Sequence, residues 1–415
     1  MQETYVHGLE WTIKELFTYP NEFIYWTIQI VMYPYLTGLV AGAFVLSSLY
    51  HVFGQKDLED IAKFALVFSF SLLLGAPIPL LFHLQQPQRN FEVMLTPHFT
   101  SAIAAFGMVF TFYMAIVASE IWFVYRRFFV EQVTELKGKE GLGNAIRRNI
   151  YRVLTLGAYD ISPDALHKDE KAIKFLAGFG IPVACFLHGY AGFIFGSVKA
   201  NALWMTPLMP VIFIMSAIVS GIALCLLAYI VIMEWQKLKI LEHARRHWHM
   251  TAEEIKGAEH DLVRKATKYL LGFMIAAITL ELLDLIFRGY TAVKSWEILR
   301  SVIYGKDFRN IFILQYTLGN LVPFIMLLIP GLNLKRTVVA LILVLFGVFM
   351  MRWNVVIGGQ AFSLTFAGYM EYHLPIIPHN LETAKEGLVG AITVGALPFI
   401  FFYIFNKIVP SLKYK

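Results

Sequence analysis

Five ionisable residues stand within or at the ends of apolar runs: His83, His188, Asp284, Arg288 and Arg352. An ionisable side chain inside a hydrophobic span costs several kcal/mol, so each is a functional candidate. Asp284 and Arg288 are one helical turn apart and share a face. Histidine and aspartate exchange protons, and arginine holds negative charge on an oxygen. Gathered in an apolar wall, such groups suit a quinone. Its ring needs a hydrogen-bonding partner at each carbonyl and a source or sink of protons, and its isoprenoid tail needs an apolar surface. A transporter also collects charges near a pocket, so residue types alone leave that alternative open. The plainer reading pairs Asp284 with Arg288 and sends His83 to the interface, but five such groups at one depth argue against it.

These residues are positioned by membrane helices. The 415-residue chain is 58% hydrophobic and 15% charged, with 35 phenylalanines, more apolar surface than a soluble domain can hide. Nine runs are long enough to cross the hydrocarbon layer: about 23–53, 61–84, 101–128, 172–196, 207–235, 266–288, 310–330, 337–356 and 387–408. Helix is the expected form, because an open sheet leaves backbone groups unpaired in lipid. The expected class is therefore an all-α polytopic membrane protein lying in the lipid bilayer. Of the 35 Lys and Arg, 25 fall on the side of the C-terminus and the loops near 54–60, 129–171, 236–265 and 331–336, against 10 opposite. The positive-inside rule then places the C-terminus in the cytoplasm and the N-terminus outside, in the cell membrane. The charge of +6 is accordingly loop asymmetry, not a nucleic-acid signal. Residues 1–22 carry Glu3, Glu10, Glu15 and Glu22 against Lys14, unlike a removable signal peptide.

In this frame the outer end of the second span carries His83, and the outer halves of the fourth and eighth carry His188 and Arg352. Asp284 and Arg288 close the sixth on the same side. The outer loops 83–99 and 199–207 add Arg89, His98, Lys199, Asn201 and Trp204, of which Arg89, His98, Lys199 and Trp204 are candidates for partner docking. A deeper set, Glu120 in the third span and Glu281 in the sixth, is a candidate proton relay from the cytoplasm. Glu234, beside Trp235 and Lys237, reads as an interface residue.

The charged loops 126–153 and 243–265 read as solvated, lipid-facing basic segments, each able to form a short surface helix. His243, His247 and His249, with Glu253 near, invite a zinc reading, but no cysteine joins them and Arg245 and Arg246 repel a cation. No metal site is expected. Cys185 and Cys225 form no C-x-x-C or C-x-x-C-H motif, so neither an iron–sulfur cluster nor covalent haem of the chain's own is expected.

A weak repeat joins "TGLVAGAF" (37–44) to "SAIVSGIA" (216–223), with small residues at helical spacing. His188 follows the basic Lys171 by seventeen residues, as Arg352 follows Lys335. The expected architecture is two parallel-repeat four-helix bundles, about 23–196 and about 207–356, with a C-terminal helix at about 387–408.

"YPYLTGLVAGAFVLSSL", "LFHLQQPQRNFEVMLTPHFTSAIAAFG", "HGYAGFIFGSVKANALWMTPLMPVIFIMSAIVSGIAL" and "MRWNVVIGGQAF" resemble the NrfD/polysulfide-reductase (PsrC-like) membrane-subunit family over nearly all nine spans. The ending is similar to a longer branch that includes the DsrP subunit and certain hydrogenase membrane subunits. The resemblance implies a membrane subunit without haem or iron–sulfur cluster that uses menaquinone or another quinone as substrate and is not catalytic alone. It implies electron exchange with a ferredoxin-like iron–sulfur subunit on the external face, in a respiratory, sulfur-linked complex with further cytochrome or catalytic subunits. By the same resemblance His188 matches the histidine of an H-x-x-x-G stretch, and Arg352 the arginine of the eighth span. Asp284 and Arg288 match an acidic-L-I-aromatic-R ending, and Glu120 a carboxylate of the third span. His83 and "QQPQR" depart from the acidic residue and "GRP" common at that point. Two alternatives are a di-haem cytochrome b-type anchor, which needs facing histidines such as His83 and His188, and a secondary transporter.

Overall fold

The computed structural model describes residues 24–411 other than 99, 200, 202, 248–251, 291–295, 332, 363–368 and 410. The acidic positions 3–22, His249 and the side chains of His243, His247 and Glu253 lie outside the described residues. Among the described residues nine helices are long and apolar enough to cross a membrane. They are α1 (Ile28–His51), α2 (Lys56–His83), α3 (Ala104–Glu135), α4 (Pro163–Gly196), α5 (Met209–Trp235), α6 (Glu259–Tyr290), α7 (Arg309–Leu328), α8 (Leu334–Gln360) and α9 (Leu388–Ile408). The face at which α1 begins is called the first face here.

The helices start where the chain supplies caps. Ser162 Oγ accepts from Ala165 N at 3.3 Å ahead of Pro163, and Asn333 Oδ1 accepts from Arg336 N at 3.2 Å. The sequence reading sets α3, α4 and α6 several residues too short. Hydropathy stops at the membrane edge, whereas backbone hydrogen bonding carries a helix on through polar residues. Within the first of the two charged loops a surface helix forms at Leu142–Leu154, held to the bundle by Tyr151, whose hydroxyl donates to Ile408 O at 3.1 Å.

α1, α2 and α5 are the most enclosed helices, while most of α6, α7 and α9 faces outward. At the centre α1 crosses α5 where Gly42 meets Gly221: a Cβ built on Gly221 would lie 2.4 Å from Gly42 Cα. The segments matched in sequence, 37–44 and 216–223, thus pack against each other. Serine hydroxyls in this interior satisfy themselves on their own helix, as Ser48 Oγ does on Phe44 O at 2.9 Å. α7 approaches α8 in the same glycine-to-glycine way, at Gly319 and Gly347.

α7 departs from the expected α-helix. Residues Arg309–Leu321 form a π-helix, and its exit bond runs from Val322 N to Thr317 O, five residues back. In an α-helix of 3.6 residues per turn, positions five apart point about 140° apart. The wider π turn brings such positions toward one face instead, and Asn310, Gln315 and Asn320 have that spacing.

Candidate functional site

Two ionisable groups from distant spans meet directly. Arg352 in α8 is fully buried, and its Nη2 lies 3.0 Å from His188 Nε2 in α4. The same nitrogen donates to Ser216 Oγ at 2.8 Å and Phe213 O at 3.3 Å, while the guanidinium carbon sits 3.7 Å from the centroid of the Phe213 ring. A guanidinium only donates, so Nε2 of His188 accepts and the ring proton sits on Nδ1. Neither His188 Nδ1 nor Arg352 Nε has a protein partner. Gly38 in α1 makes the room: a Cβ there would lie 3.1 Å from His188 Cε1. Both residues lie about 12 Å along their helices from the first face, at 1.5 Å per residue.

Asp284 and Arg288 pair as their spacing predicts, Arg288 Nε donating to Asp284 Oδ2 at 2.8 Å, and Thr206 Oγ1 donates to Asp284 Oδ1 at 2.6 Å. They line a cavity of about 110 Å³ on the first-face side of α5–α8. Glu281, Gln315, Tyr316 and Asn354 supply its remaining polar lining, and Met209, Ile212 and Met351 part of its apolar wall. His188 and Arg352 stand behind that wall. Arg352 Nη1 lies 3.3 Å from Met351 Sδ.

The amides on α7 and α8 are residues the sequence reading did not single out. Gln315 Nε2 and Asn320 Nδ2 both donate to Glu281 Oε2, at 3.0 and 3.2 Å. Asn354 Nδ2 donates to Gln315 Oε1 at 2.8 Å and Asn310 O at 3.3 Å. The signal available was the five-residue spacing of Asn310, Gln315 and Asn320, invisible to a search at helical period. Beside the cavity, between α6 and α7, runs a groove of about 400 Å³ lined by Ile275, Ile278, Leu282, Leu321 and Phe324 and sharing Tyr316.

The other candidates stand elsewhere. His83 Nδ1 is 3.3 Å from Glu386 Oε2 and 3.4 Å from Thr27 Oγ1, beside the short helix Leu381–Glu386. It is not among the cavity residues, and no His83–His188 pair faces across the bundle. Glu120 in α3 is fully buried, its Oε1 3.2 Å from His51 Nδ1 but off the line of a hydrogen bond. This pair lies toward the face opposite the cavity. Arg89, His98 and Lys199 are exposed on the first face, Arg89 with Glu92 at 3.0 Å. Trp204 is buried: its Nε1 donates to Val355 O at 2.6 Å and its ring stacks on Trp26 at 5.5 Å. Asn201 Nδ2, bonded to Gly359 O at 2.6 Å, completes this clasp between the α4–α5 turn and the end of α8.

Asp307, just ahead of α7, is also buried. Its Oδ1 accepts from Asn310 Nδ2 at 3.3 Å and its Oδ2 has no partner. Burial pushes this carboxyl above the usual aspartate range, opposed by the Lys306 ammonium. The folded protein then holds the proton more tightly than the unfolded chain, so stability falls as pH rises through the window above about 3.9. Asp307→Asn is expected to flatten that part of a thermal-midpoint-against-pH curve and to be the more stable protein at neutral pH. A wild-type curve without that slope would contradict this.

Residues 17–364 match the family described as Polysulphide reductase, NrfD. The chain belongs to the NrfD family. Relatives of this NrfD-family chain include the C subunit of the selenate reductase of Mesobacillus selenatarsenatis, 36% identical over 49% of this chain and 47% of the relative. A putative dimethyl sulfoxide reductase membrane subunit of Halobacterium salinarum is 24% identical over 87% of this chain and 73% of its own. An Hdr-like menaquinol oxidoreductase integral membrane subunit of Archaeoglobus fulgidus is 24% identical over 48% and 40%. The chain thus spans about half the length of the selenate relative. It is a multi-pass membrane protein, and its relatives include subunits of reductases, among them two named as membrane subunits.

Proposed function

We propose that this chain is the quinone-reactive membrane subunit of a respiratory oxidoreductase, exchanging electrons between menaquinol or menaquinone and an iron–sulfur subunit on its first face. That face is external in this reading, as the lysine and arginine asymmetry favours. The observation that carries the proposal is the cavity to which Glu281, Asp284 and Arg288 bring charged groups in an otherwise largely apolar lining, and which shares Tyr316 with an apolar groove. A cavity of about 150 Å³ holds a benzene ring. This smaller, open one would take part of a quinone headgroup, and the α6–α7 groove would take the tail.

Glu281 and Asp284 accept and pass on the protons of the bound hydroxyls. Arg288 holds the charge that develops on oxygen, and the His188–Arg352 pair fixes the wall and its field from behind. The electrons leave to a partner cluster on the first face, where Arg89, His98 and Lys199 would meet an acidic surface. Glu120 with His51 would supply protons from the opposite face. The two four-helix units belong to the same proposal, supported by the meeting of matched positions at Gly42–Gly221 and His188–Arg352.

Binding of menadiol to the detergent-purified protein, followed by tryptophan fluorescence, tests the site. Glu281→Leu is expected to weaken it at least tenfold, and His83→Ala to leave it unchanged. Absence of menadiol binding, or equal binding by the Glu281 variant, would overturn the assignment.

A further inference from the structure

The surface helix Leu142–Leu154, on the face opposite the cavity, turns a second apolar side away from the protein. Its packed side is marked by Tyr151, which is buried with its ring edge-on to Phe128 at 5.8 Å. At the helical period Leu142, Ile146, Ile150 and Val153 share an arc of about 80° turned away from Tyr151. These four side chains are between 39% and 79% exposed. Arg147 stands beyond one edge of the arc, and Arg148 and Arg152 beyond the other. None of the three is in an ion pair among the described residues.

Water is a poor neighbour for such a stripe, and the depth of the helix supplies a better one. Trp122 Nε1 donates to Leu154 O at 2.8 Å. Trp122 lies about 27 Å along α3 from Ala104, near the far edge of a hydrocarbon layer about 30 Å thick. Tyr151 bonds Ile408 O where α9 ends on the same side. The C-terminal end of the surface helix is thus fixed at the membrane edge.

The turn that follows extends the stripe. Leu156 is 75% exposed and has a φ of 48°, a left-handed backbone that is disfavoured for a leucine. The chain holds it there, since Ala158 N donates to Thr155 O at 2.9 Å. Arg126, paired with Asp169, donates to Ala158 O at 3.3 Å and to Asp160 O at 2.5 Å. Glycine or asparagine suits such a turn in water, whereas a leucine gains from apolar surroundings.

We propose that the stripe from Leu142 to Leu156 enters the boundary between headgroups and acyl chains, while Arg147, Arg148 and Arg152 bind the phosphates of anionic phospholipids. Lipid fits better than a second protein, because the stripe ends at membrane depth and every charged residue of the helix is a cation. This surface is independent of what the cavity binds.

The test is nitroxide labelling of Ile150→Cys and Val153→Cys, with Glu140→Cys as an aqueous control, in full-length protein carrying Cys185→Ala. Each protein is placed in phosphatidylcholine vesicles with and without phosphatidylglycerol. The Ile150 and Val153 labels are expected to collide more with oxygen, which concentrates in lipid, than with a water-soluble nickel chelate. The Glu140 label should show the reverse. Omitting phosphatidylglycerol, or adding Arg147→Gln with Arg152→Gln, should shift the two stripe labels toward the aqueous response. Stripe labels that respond like the Glu140 label would overturn the inference by placing the stripe in water. Shielding from both reagents would overturn it as well, because protein and not lipid would then cover the stripe. A response indifferent to phosphatidylglycerol would overturn the assignment of the arginines to anionic headgroups.

Discussion

Gly221→Val is expected to abolish accumulation of folded protein. The Cβ of any residue at this position would lie 2.4 Å from Gly42 Cα and 2.6 Å from both Ala43 N and Leu39 O. All three are backbone atoms of α1, so no side chain can swing aside. α1 and α5 would have to separate, and these are two of the most enclosed helices in the protein. Overpacked cores lose roughly 1–3 kcal/mol when side chains can adjust, and a backbone clash belongs at or beyond the upper end. Set against a total stability of about 5–15 kcal/mol, that is a large share. Gly272→Val in α6 is the matched control, since a Cβ there meets nothing within 4 Å. Size-exclusion profiles and thermal midpoints in detergent read both variants. A Gly221→Val protein eluting and melting like wild type would mean that α1 and α5 do not cross at these glycines.

The second large effect is expected at the Asp284–Arg288 pair. Removing Asp284 alone, as in Asp284→Leu, leaves a nearly buried guanidinium without its carboxylate, a loss of about 3–5 kcal/mol for buried pairs. Exchanging the two charges, Asp284→Arg with Arg288→Asp, restores the pair four residues apart on the same face. A purely structural pair would regain both stability and menadiol binding. A pair that also presents a base and a cation to a ligand, as proposed above, would regain stability and still bind menadiol at least tenfold more weakly, because the charges now sit at exchanged positions. Thr206, whose hydroxyl donates to Asp284 at 2.6 Å, adds to that asymmetry, since it cannot serve an arginine in the same way. Full recovery of menadiol binding in the exchanged protein would reduce the pair to a structural role.

Both effects depend on which faces of the helices meet, and this is where sequence and structure part. The length and apolarity of the runs determined the nine spans, because only helices of that length satisfy their backbone across hydrocarbon. Spacing within a single helix determined that Asp284 and Arg288 would pair. Counting along the spans put His188 and Arg352 at one depth. Depth along a helix is a local quantity, and so is a contact one turn away.

Rotation about the helix axis is not local, and it was decided only by packing. Gly42 against Gly221 sets how α1 and α5 cross, and Gly38 leaves space for the His188 ring. The direct bond of 3.0 Å between His188 and Arg352 follows from that crossing, as does their place behind the cavity wall. The same holds for Trp204, which reads as an exposed corner residue in sequence and is buried because α8 ends where its ring can reach Val355. The amide chain through Asn310, Gln315 and Asn354 was hidden for a different reason. It depends on a π-helical α7, and a hydrophobic pattern read at 3.6 residues per turn carries no trace of a five-residue face. The sequence by itself determined the nine spans and the depth at which His188 and Arg352 sit; the tertiary structure alone decided which groups on different helices touch, because contact between helices depends on rotation and close approach that no single helix encodes.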